Sequence, residues 1–289
     1  SIAAIEENIA GKDEVYYCDG SLNVAGKNIK CWKPGGHGVQ NFNQTLENSC
    51  NVAFMEMGAK LGAEKLNEYI KLFGFGTQSG IDLPGEATGI VKNVEDISSV
   101  DLATISFGQT NTMNGIQFMT ALNAVANGGD LIQPHIMKEL SHKDDNGTKI
   151  IDEVFVPKIQ ENIVDEKSTM RVKEALESTV SNGSSKDAGI EGIKVAGKTG
   201  TAEKVDSETG TYGAGYIASF AGFAPYDNPQ VSLIVIIDNP KNGEHFGGIV
   251  AAPFAGELFN NIFNYISLNE GQLDVKDESV IITDLRGDK

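Results

Sequence analysis

The spacing of apolar residues along the chain predicts a block of helices followed by three consecutive strands and a last helix. A helical period runs through SIAAIEENIA, NFNQTLENSCNVAFMEMGAKLG, AEKLNEYIKLFGFG, MNGIQFMTALNAVANGG, VDEKSTMRVKEALESTVSNG and AAPFAGELFNNIFNYI. Strand-like runs follow one another in KVAGKTGTAEK, YIASFAGFAP and VSLIVIID, and shorter strands are predicted for EVYYC and within 146–160. Consecutive strands without helices between them favour an antiparallel sheet, so the pattern predicts an α+β fold with helices packed on both sides of that sheet.

Length and charge narrow the classes of function. The chain has 289 residues, of which 40% are hydrophobic, enough for a large core. A formal net charge of −17 makes electrostatic binding of nucleic acid or anionic lipid unfavourable. Residues 268–289 are acidic and weakly patterned, which is typical of a linker, and they end in the strand-like VIITDL. At the other end, Ser1 stands within a helical pattern that has no cap, so we expect the chain to begin in mid-fold.

The stretch VAGKTGTAE carries the first candidate chemistry. Lys198 offers a positive charge, Thr199 and Thr201 offer hydroxyls, and Gly200 lets the backbone approach a ligand closely. The spacing from Gly192 also fits G-x-x-x-x-G-K-[ST], the phosphate loop of nucleotide-binding proteins. That motif requires a strand before it and a helix after it, whereas here a loop precedes it and a turn-rich segment follows. We therefore predict that KTGT lies on a strand, where it can grip a carboxylate and an acyl group.

A second motif is the pair Ser49 and Asn51 in LENSCNVAF. A hydroxyl and an amide two residues apart can flank a reacting amide and pass a proton, although such a pair at a helix end usually has no function. Its occurrence about 150 residues before KTGT is more informative than either motif alone. In this order, SxN and KTGT resemble the penicillin-recognising serine enzymes.

Further segments extend this resemblance over residues 1–267. The segments LGAEKLNEYIKLFGFG, GIDLPGE, ISFGQT, IQFMTALNAVANGG, AGKTGTAEK and SFAGFAP are similar to the transpeptidase domain of class B penicillin-binding proteins. CWKPGGHG and LENSCN resemble the sporulation-specific type, and ITDLRG within 268–289 resembles the start of a PASTA module. One departure is Asn114-Gly115-Ile116-Gln117 in place of the family's T-P-L-Q, which we expect to affect a helix start.

The resemblance implies a role for each motif residue. Ser49 would relay a proton to the leaving group, and Asn51 would hold the acyl-side amide of the donor peptide or β-lactam. Lys198 and Thr199 would clamp the substrate carboxylate, and the backbone N–H of Thr201 would form half of an oxyanion hole.

The family's nucleophile is the serine of an SxxK motif, and the chain contains no SxxK. In the family the helix runs on from SxxK into a stretch that SIAAIEEN resembles, so the resemblance implies that the motif precedes Ser1 and that residues 1–267 are an N-terminally incomplete domain. Ser1 has no lysine three residues on, and Ser184 and Ser185 stand too close to Lys186 to replace the motif.

The cysteines form a separate constellation. Cys18, Cys31 and Cys50 are the only cysteines, and with His37 they read C-x12-C-x5-H-x12-C, a soft donor set that suits Zn²⁺. Asp19 is an alternative fourth ligand. Two other interpretations remain open, namely a Cys18–Cys31 disulfide and three free buried thiols. A zinc ion would be structural and would staple the loop beside Ser49.

Three other histidines have weaker signals. His135 and His142 are expected at the surface, while His245 in GEHFGG is a candidate substrate contact at the rim of the site.

The resemblance implies a peptidoglycan DD-transpeptidase that acts on D-Ala-D-Ala stem peptides and is acylated by β-lactams. It also implies an extracytoplasmic domain tethered by an upstream membrane segment, within a cell-wall synthesis or sporulation complex. The alternatives are a DD-carboxypeptidase or β-lactamase relative, and a binding or scaffold module of the same fold that does no chemistry.

Overall fold

The computed structural model describes residues 1–206, 209, 212–241 and 243–269. Residues 270–289, which hold most of the predicted linker and the PASTA-like segment, lie outside the described residues. Within the described part of the chain, no helix is both long and apolar enough to cross a membrane.

The helices and strands follow the predicted order. The helices are α1 Ile2–Glu6, α2 Phe42–Glu47, α3 Asn51–Leu61, α4 Ala63–Leu72, α5 Ser99–Ser106, α6 Gly115–Ala126, α7 Glu166–Ser181, α8 Gly247–Val250 and α9 Ala252–Asn269. The strands are β1 Val15–Cys18, β2 Ser21–Val24, β3 Lys27–Lys30, β4 Gly38–Asn41, β5 Leu131–Ile132, β6 Glu139–Lys143, β7 Lys149–Val154, β8 Ile159–Gln160, β9 Ala196–Val205, β10 Tyr212–Ala224 and β11 Val231–Asp238.

The three consecutive strand-like runs form one antiparallel sheet, as predicted, with β10 between β9 and β11. In this register Ala221 of β10 lies opposite Lys198 of β9 and opposite Ile234 of β11. The KTGT motif therefore lies on β9, an outer strand of the described sheet, and the phosphate-loop interpretation is excluded because Lys198 lies within a strand that continues to Val205.

Helices cover both faces of this sheet, which confirms the predicted fold class. Phe223 is fully buried on one face, in a core that includes Leu176 of α7. Phe220 is fully buried on the other face, in a core that includes Ala255 and Phe259 of α9. The two phenylalanines face opposite sides because side chains alternate along a strand. Each such burial contributes roughly 1.5–3 kcal/mol.

The segment predicted as one helix over NFNQTLENSCNVAFMEMGAKLG is two helices, and the prediction of a continuous helix is wrong. An Asn41–Gln44 capping box begins α2, and α3 begins at Asn51 after a break at Asn48–Cys50. In the break, Ser49 has a left-handed backbone with φ of 49°. The Ser49 N–H donates to the Leu46 carbonyl oxygen at 3.0 Å, so the chain turns out of the helix there.

Other described elements have no counterpart in the sequence prediction, among them β4, β5, a hairpin after Cys18 and α5. The turn-rich segment after Cys18 folds into the β2–β3 hairpin through left-handed Ala25 and Gly26. The helix α5 begins at a capping box formed by Ser98 and Asp101. The departure at Asn114 does mark a helix start, because its side chain caps α6.

Candidate active site and metal centre

Ser49 and Asn51 lie at the junction of α2 and α3. Ser49 is half-buried in the left-handed turn, and Asn51 is the first residue of α3. The Asn51 Nδ2 donates to the carbonyl oxygen of Lys30 at 3.3 Å, which ties the junction to the end of β3. Ser49 and Asn51 therefore lie at the N-terminal end of α3 and not on one face of a continuous helix.

The four residues of KTGT lie together on β9, and each of them is half-buried. Burial lowers the pKa of Lys198 to about 8. The Lys198 ammonium donates to the carbonyl oxygen of Thr199 at 2.9 Å. A positive charge held on a partly desolvated strand is suited to binding an anionic group.

The loop Gly183–Ser185, which follows α7, joins the two motifs. The Ser184 N–H donates to the Glu47 carbonyl oxygen at 3.1 Å, two residues before Ser49. The Ser184 hydroxyl lies 3.5 Å from the Thr199 hydroxyl, and the Ser185 hydroxyl accepts the Thr199 N–H at 3.1 Å.

Sequence reasoning considered Ser184 and Ser185 only as nucleophiles and missed this connecting role. The only local signal was a run of small polar residues after a helix, and such runs are common in turns. Their importance lies in contacts to residues that are distant in sequence.

The helix α8 covers the other flank of KTGT. The Gly247 N–H donates to the Thr201 hydroxyl at 3.0 Å. A side chain at Gly247 would collide with the Gly200 carbonyl oxygen, and one at Gly248 would come within 2.6 Å of the Ser184 carbonyl oxygen. The glycines therefore allow this helix to lie directly against β9 and the Gly183–Ser185 loop.

A row of aromatic side chains runs along the rim of the site. The Trp32 ring lies 6.4 Å from Phe246, Phe246 lies 4.5 Å from His245, and His245 stacks on Tyr216 at 4.0 Å. His245 lies two residues before α8, and its contact with substrate stays a prediction. His135 and His142 are exposed, as predicted.

Cys18, Cys31, His37 and Cys50 form one cluster whose candidate ligand atoms all lie within 4.8 Å of one another. The Cys31 sulfur is 3.7 Å from the His37 Nδ1. Bonds of about 2.0–2.3 Å from each ligand to a tetrahedral ion give distances between ligand atoms close to that between the Cys31 sulfur and the His37 Nδ1. The four residues can therefore hold a metal ion.

The electrostatics of the cluster also fit a metal site. A hydrogen bond from the Cys50 thiol lowers the pKa of Cys31 to about 4, while the same interaction raises the pKa of Cys50. Burial lowers the pKa of His37, which favours the neutral ring. Its Nε2 is buried without a hydrogen-bond partner. A thiolate beside a neutral imidazole is the ligand state that a metal requires.

Local structure explains how these four residues meet. Cys18 ends β1 and pairs with Gly38 of β4, beside His37. A side chain at Gly36 would collide with the Cys18 carbonyl oxygen, so glycine lets the two segments approach. Asp19 is not a member of the cluster, and its carboxylate accepts the Ser21 N–H at 3.3 Å. None of the three cysteines is in a disulfide.

A cavity of about 520 Å³ lies elsewhere, between α6, α7 and the turn from β10 to β11. Lys173 lines it, and burial lowers the pKa of this lysine. None of the motif residues lines this cavity, so it is separate from the candidate active site.

The sequence matches known proteins over most of its length. Residues 1–263 match the penicillin binding protein transpeptidase domain. Stage V sporulation protein D of Bacillus subtilis is 42% identical over 90% of this chain and 40% of its own length. Penicillin-binding protein PbpB of Mycobacterium tuberculosis is 30% identical over 93% of this chain and 40% of its own length. The chain thus spans about two fifths of the length of these curated relatives.

Solved structures show the same fold. Penicillin binding protein 3 from Mycobacterium tuberculosis, complexed with ampicillin, superposes with a TM-score of 0.80 at 27% identity, over 92% of this chain and 60% of that chain. The same protein complexed with aztreonam gives a TM-score of 0.79. With the SxN turn and the KTGT strand brought together by the Gly183–Ser185 loop, the chain belongs to the penicillin binding protein transpeptidase family.

Proposed function

We propose that this chain is the larger part of a peptidoglycan DD-transpeptidase domain that cross-links stem peptides through an acyl-enzyme and is a target of β-lactams. The observation that carries the proposal is the connection of the Ser49 turn to Thr199 through Ser184. This connection places the Ser49 hydroxyl and the Asn51 amide near the strand that carries Lys198. Acyl transfer from a peptide that ends in a carboxylate requires both a proton relay and a cationic group for that carboxylate.

The reaction follows from these groups and from the family's nucleophile. A serine hydroxyl attacks the penultimate D-Ala carbonyl, the terminal D-Ala leaves with a proton, and the acyl group passes to an amine of a second stem peptide. Asn51 holds the acyl-side amide, Ser49 delivers the proton, and Lys198 and Thr199 hold the terminal carboxylate. A Cβ at Gly200 would lie 2.6 Å from the Ser219 Oγ, so glycine lets β9 pack closely against β10 at this position.

The strand geometry supports a role for the Thr201 N–H in an oxyanion hole. The Thr199 N–H donates to Ser185 and therefore points away from β10. Residues two apart on a strand direct their N–H groups to the same side. The Thr201 N–H thus also points away from β10, where a developing oxyanion can accept from it.

We propose that the nucleophile and its lysine lie upstream of Ser1. The test is mass spectrometry after incubation with a penicillin, on this chain and on a longer chain that carries the upstream residues. A gain of one penicillin mass by the longer chain alone supports the transpeptidase. If neither chain gains mass, the acyl-enzyme mechanism is wrong, and the binding or scaffold alternative is favoured because residues 1–289 contain no SxxK.

We also propose that the cysteine–histidine cluster binds a structural Zn²⁺. Three sulfurs and one imidazole complete a tetrahedral shell, so no position is left for a reactive water. Cys50 stands between Ser49 and Asn51, and a bound ion would fix the turn that carries both. The test is the zinc content of the purified chain, measured in the wild type, in Asp19→Ala and in His37→Ala. The comparison of the two variants identifies the fourth ligand.

The cellular setting follows from the relatives. The similarity to stage V sporulation protein D supports a role in sporulation cell-wall synthesis, within a complex at the outer face of the membrane, with the tether in an upstream segment. Residues 268–289 would be a linker that ends in the start of a PASTA module. Fractionation of sporulating cells that express the full-length protein tests the location.

A further inference from the structure

Trp32 contacts three parts of the site at once. Its indole N–H donates to the carbonyl oxygen of Asn48 at 2.9 Å. Its ring lies 5.5 Å from the His37 ring and 6.4 Å from the Phe246 ring. The side chain is only half exposed, at 51%, because these contacts cover one of its faces.

Two of these contacts involve neighbours of the two motifs. Asn48 immediately precedes Ser49, so the indole N–H holds the first carbonyl of the left-handed turn. Phe246 immediately precedes Gly247, whose N–H donates to the Thr201 hydroxyl. Trp32 therefore connects the SxN turn to the flank of KTGT through one rigid ring.

The third contact joins Trp32 to the metal cluster. Cys31 is its neighbour in sequence, and His37 lies against its ring. Metal coordination fixes the positions of its ligands within a few tenths of an ångström, so an ion bound to Cys31 and His37 would also fix the segment that carries Trp32.

We propose that Trp32 is a positioning residue that transmits the geometry of the metal cluster to the Ser49 turn and to the segment beside KTGT. When the metal is bound, the indole holds the Ser49 turn and Phe246 at a set separation. When the metal is absent, segment 31–37 is released and both contacts loosen. The effect on acylation rests on the proposed transpeptidase function, whereas the coupling between metal and Trp32 does not.

Because Trp32 is the only tryptophan, the emission of the protein reports this side chain alone. The metal-loaded chain is stripped with a chelator and titrated with Zn²⁺, and metal uptake is followed separately with a chromophoric chelator. We expect the Trp32 emission maximum to shift and to saturate together with uptake at one ion per chain. Uptake without an emission change overturns the proposal, and so does a chain that takes up no metal. The Cys50→Ser variant is the control for non-specific Zn²⁺ effects.

A second experiment measures acylation by a fluorescent penicillin in the longer chain. Trp32→Phe keeps an aromatic ring and removes the N–H donor to Asn48. We expect the acylation rate constant to fall about fivefold to tenfold, which matches the loss of one hydrogen bond, with pre-acylation affinity and zinc content unchanged. Phe254→Ala, which truncates an exposed ring on α9, is the control and should react at the wild-type rate.

The outcomes separate the two proposals. A wild-type acylation rate in Trp32→Phe overturns the positioning role while leaving the transpeptidase intact. If the wild-type longer chain is not acylated, the proposed function fails, and the Zn²⁺ titration alone decides the coupling.

Discussion

The N–H of Ser184 donates a hydrogen bond of 3.1 Å to the carbonyl oxygen of Glu47, across 137 positions of the sequence. This bond joins the end of α2 to the loop after α7. A second contact supports it, because the Ser178 hydroxyl donates to the Glu47 carboxylate. Through Ser184 and Thr199, the bond sets the position of the Ser49 turn relative to KTGT.

Replacement of Gly183 by alanine should disrupt this junction. A Cβ at Gly183 would lie 2.8 Å from the Glu47 Cα and 2.9 Å from its carbonyl oxygen, so the backbone must shift. We expect the free energy of unfolding, measured in urea, to fall by about 1–3 kcal/mol. Acylation of the longer chain by penicillin should slow as well. Gly11→Ala is the control, because no atom lies within 4 Å of its Cβ position, and equal losses in both variants would contradict the steric explanation.

Two substitutions at Ser49 should distinguish the cost of its left-handed backbone from the function of its hydroxyl. Ser49 has φ of 49°, a backbone that costs residues with a Cβ about 1 kcal/mol or more and costs glycine little. Ser49→Gly should therefore be at least as stable as the wild type, and Ser49→Ala should retain the strain. In the longer chain that carries the proposed nucleophile, both variants should lose most turnover of a D-Ala-D-Ala peptide, because both lack the hydroxyl. Wild-type turnover in the glycine variant would exclude the proton-relay role.

The stability of the chain should depend on pH through Lys198. Burial lowers the pKa of this lysine from 10.5 to about 8. Between these values the unfolded chain still holds the proton that the folded chain has released, so the free energy of unfolding rises with pH across this window. Below about pH 8 both states are protonated, and the folded state bears the whole cost of the buried charge.

Urea unfolding of the wild type and of Lys198→Met, below and within this pH window, measures the effect. Lys198→Met should have the higher free energy of unfolding below about pH 8. Its excess over the wild type should decrease as the pH rises through the window. Lys167→Met, on an exposed part of α7, is the matched control for the loss of one positive charge. A constant difference between wild type and Lys198→Met at all pH values would show that the lysine is not desolvated.

Zinc should raise the melting temperature of the chain. An ion that binds only the folded state at a free concentration 100 times its dissociation constant stabilises by about 2.7 kcal/mol. We expect differential scanning fluorimetry to show this increase in the wild type and in Asp19→Ala, and to show none in Cys18→Ser or His37→Ala. An increase in His37→Ala that is lost in Asp19→Ala would assign the fourth ligand to the aspartate.

The local sequence determined much of this protein. The period of apolar residues specified the antiparallel strands and most helices, because it reflects which side chains each element buries. The positions of Lys198 and Thr199 on a strand followed from the same pattern. The residue types of Cys18, Cys31, Cys50 and His37 were enough to suggest a metal cluster, because few other arrangements use such a donor set.

Only the tertiary structure decided how these parts meet. The left-handed turn at Ser49 interrupts a sequence with good helical period, and the Trp32 and Ser184 contacts hold the residues around that break. These contacts join segments that are 16 and 137 positions apart in the chain. No local pattern encodes them, because a hydrogen bond between distant segments depends on how whole elements pack and not on the propensity of either residue.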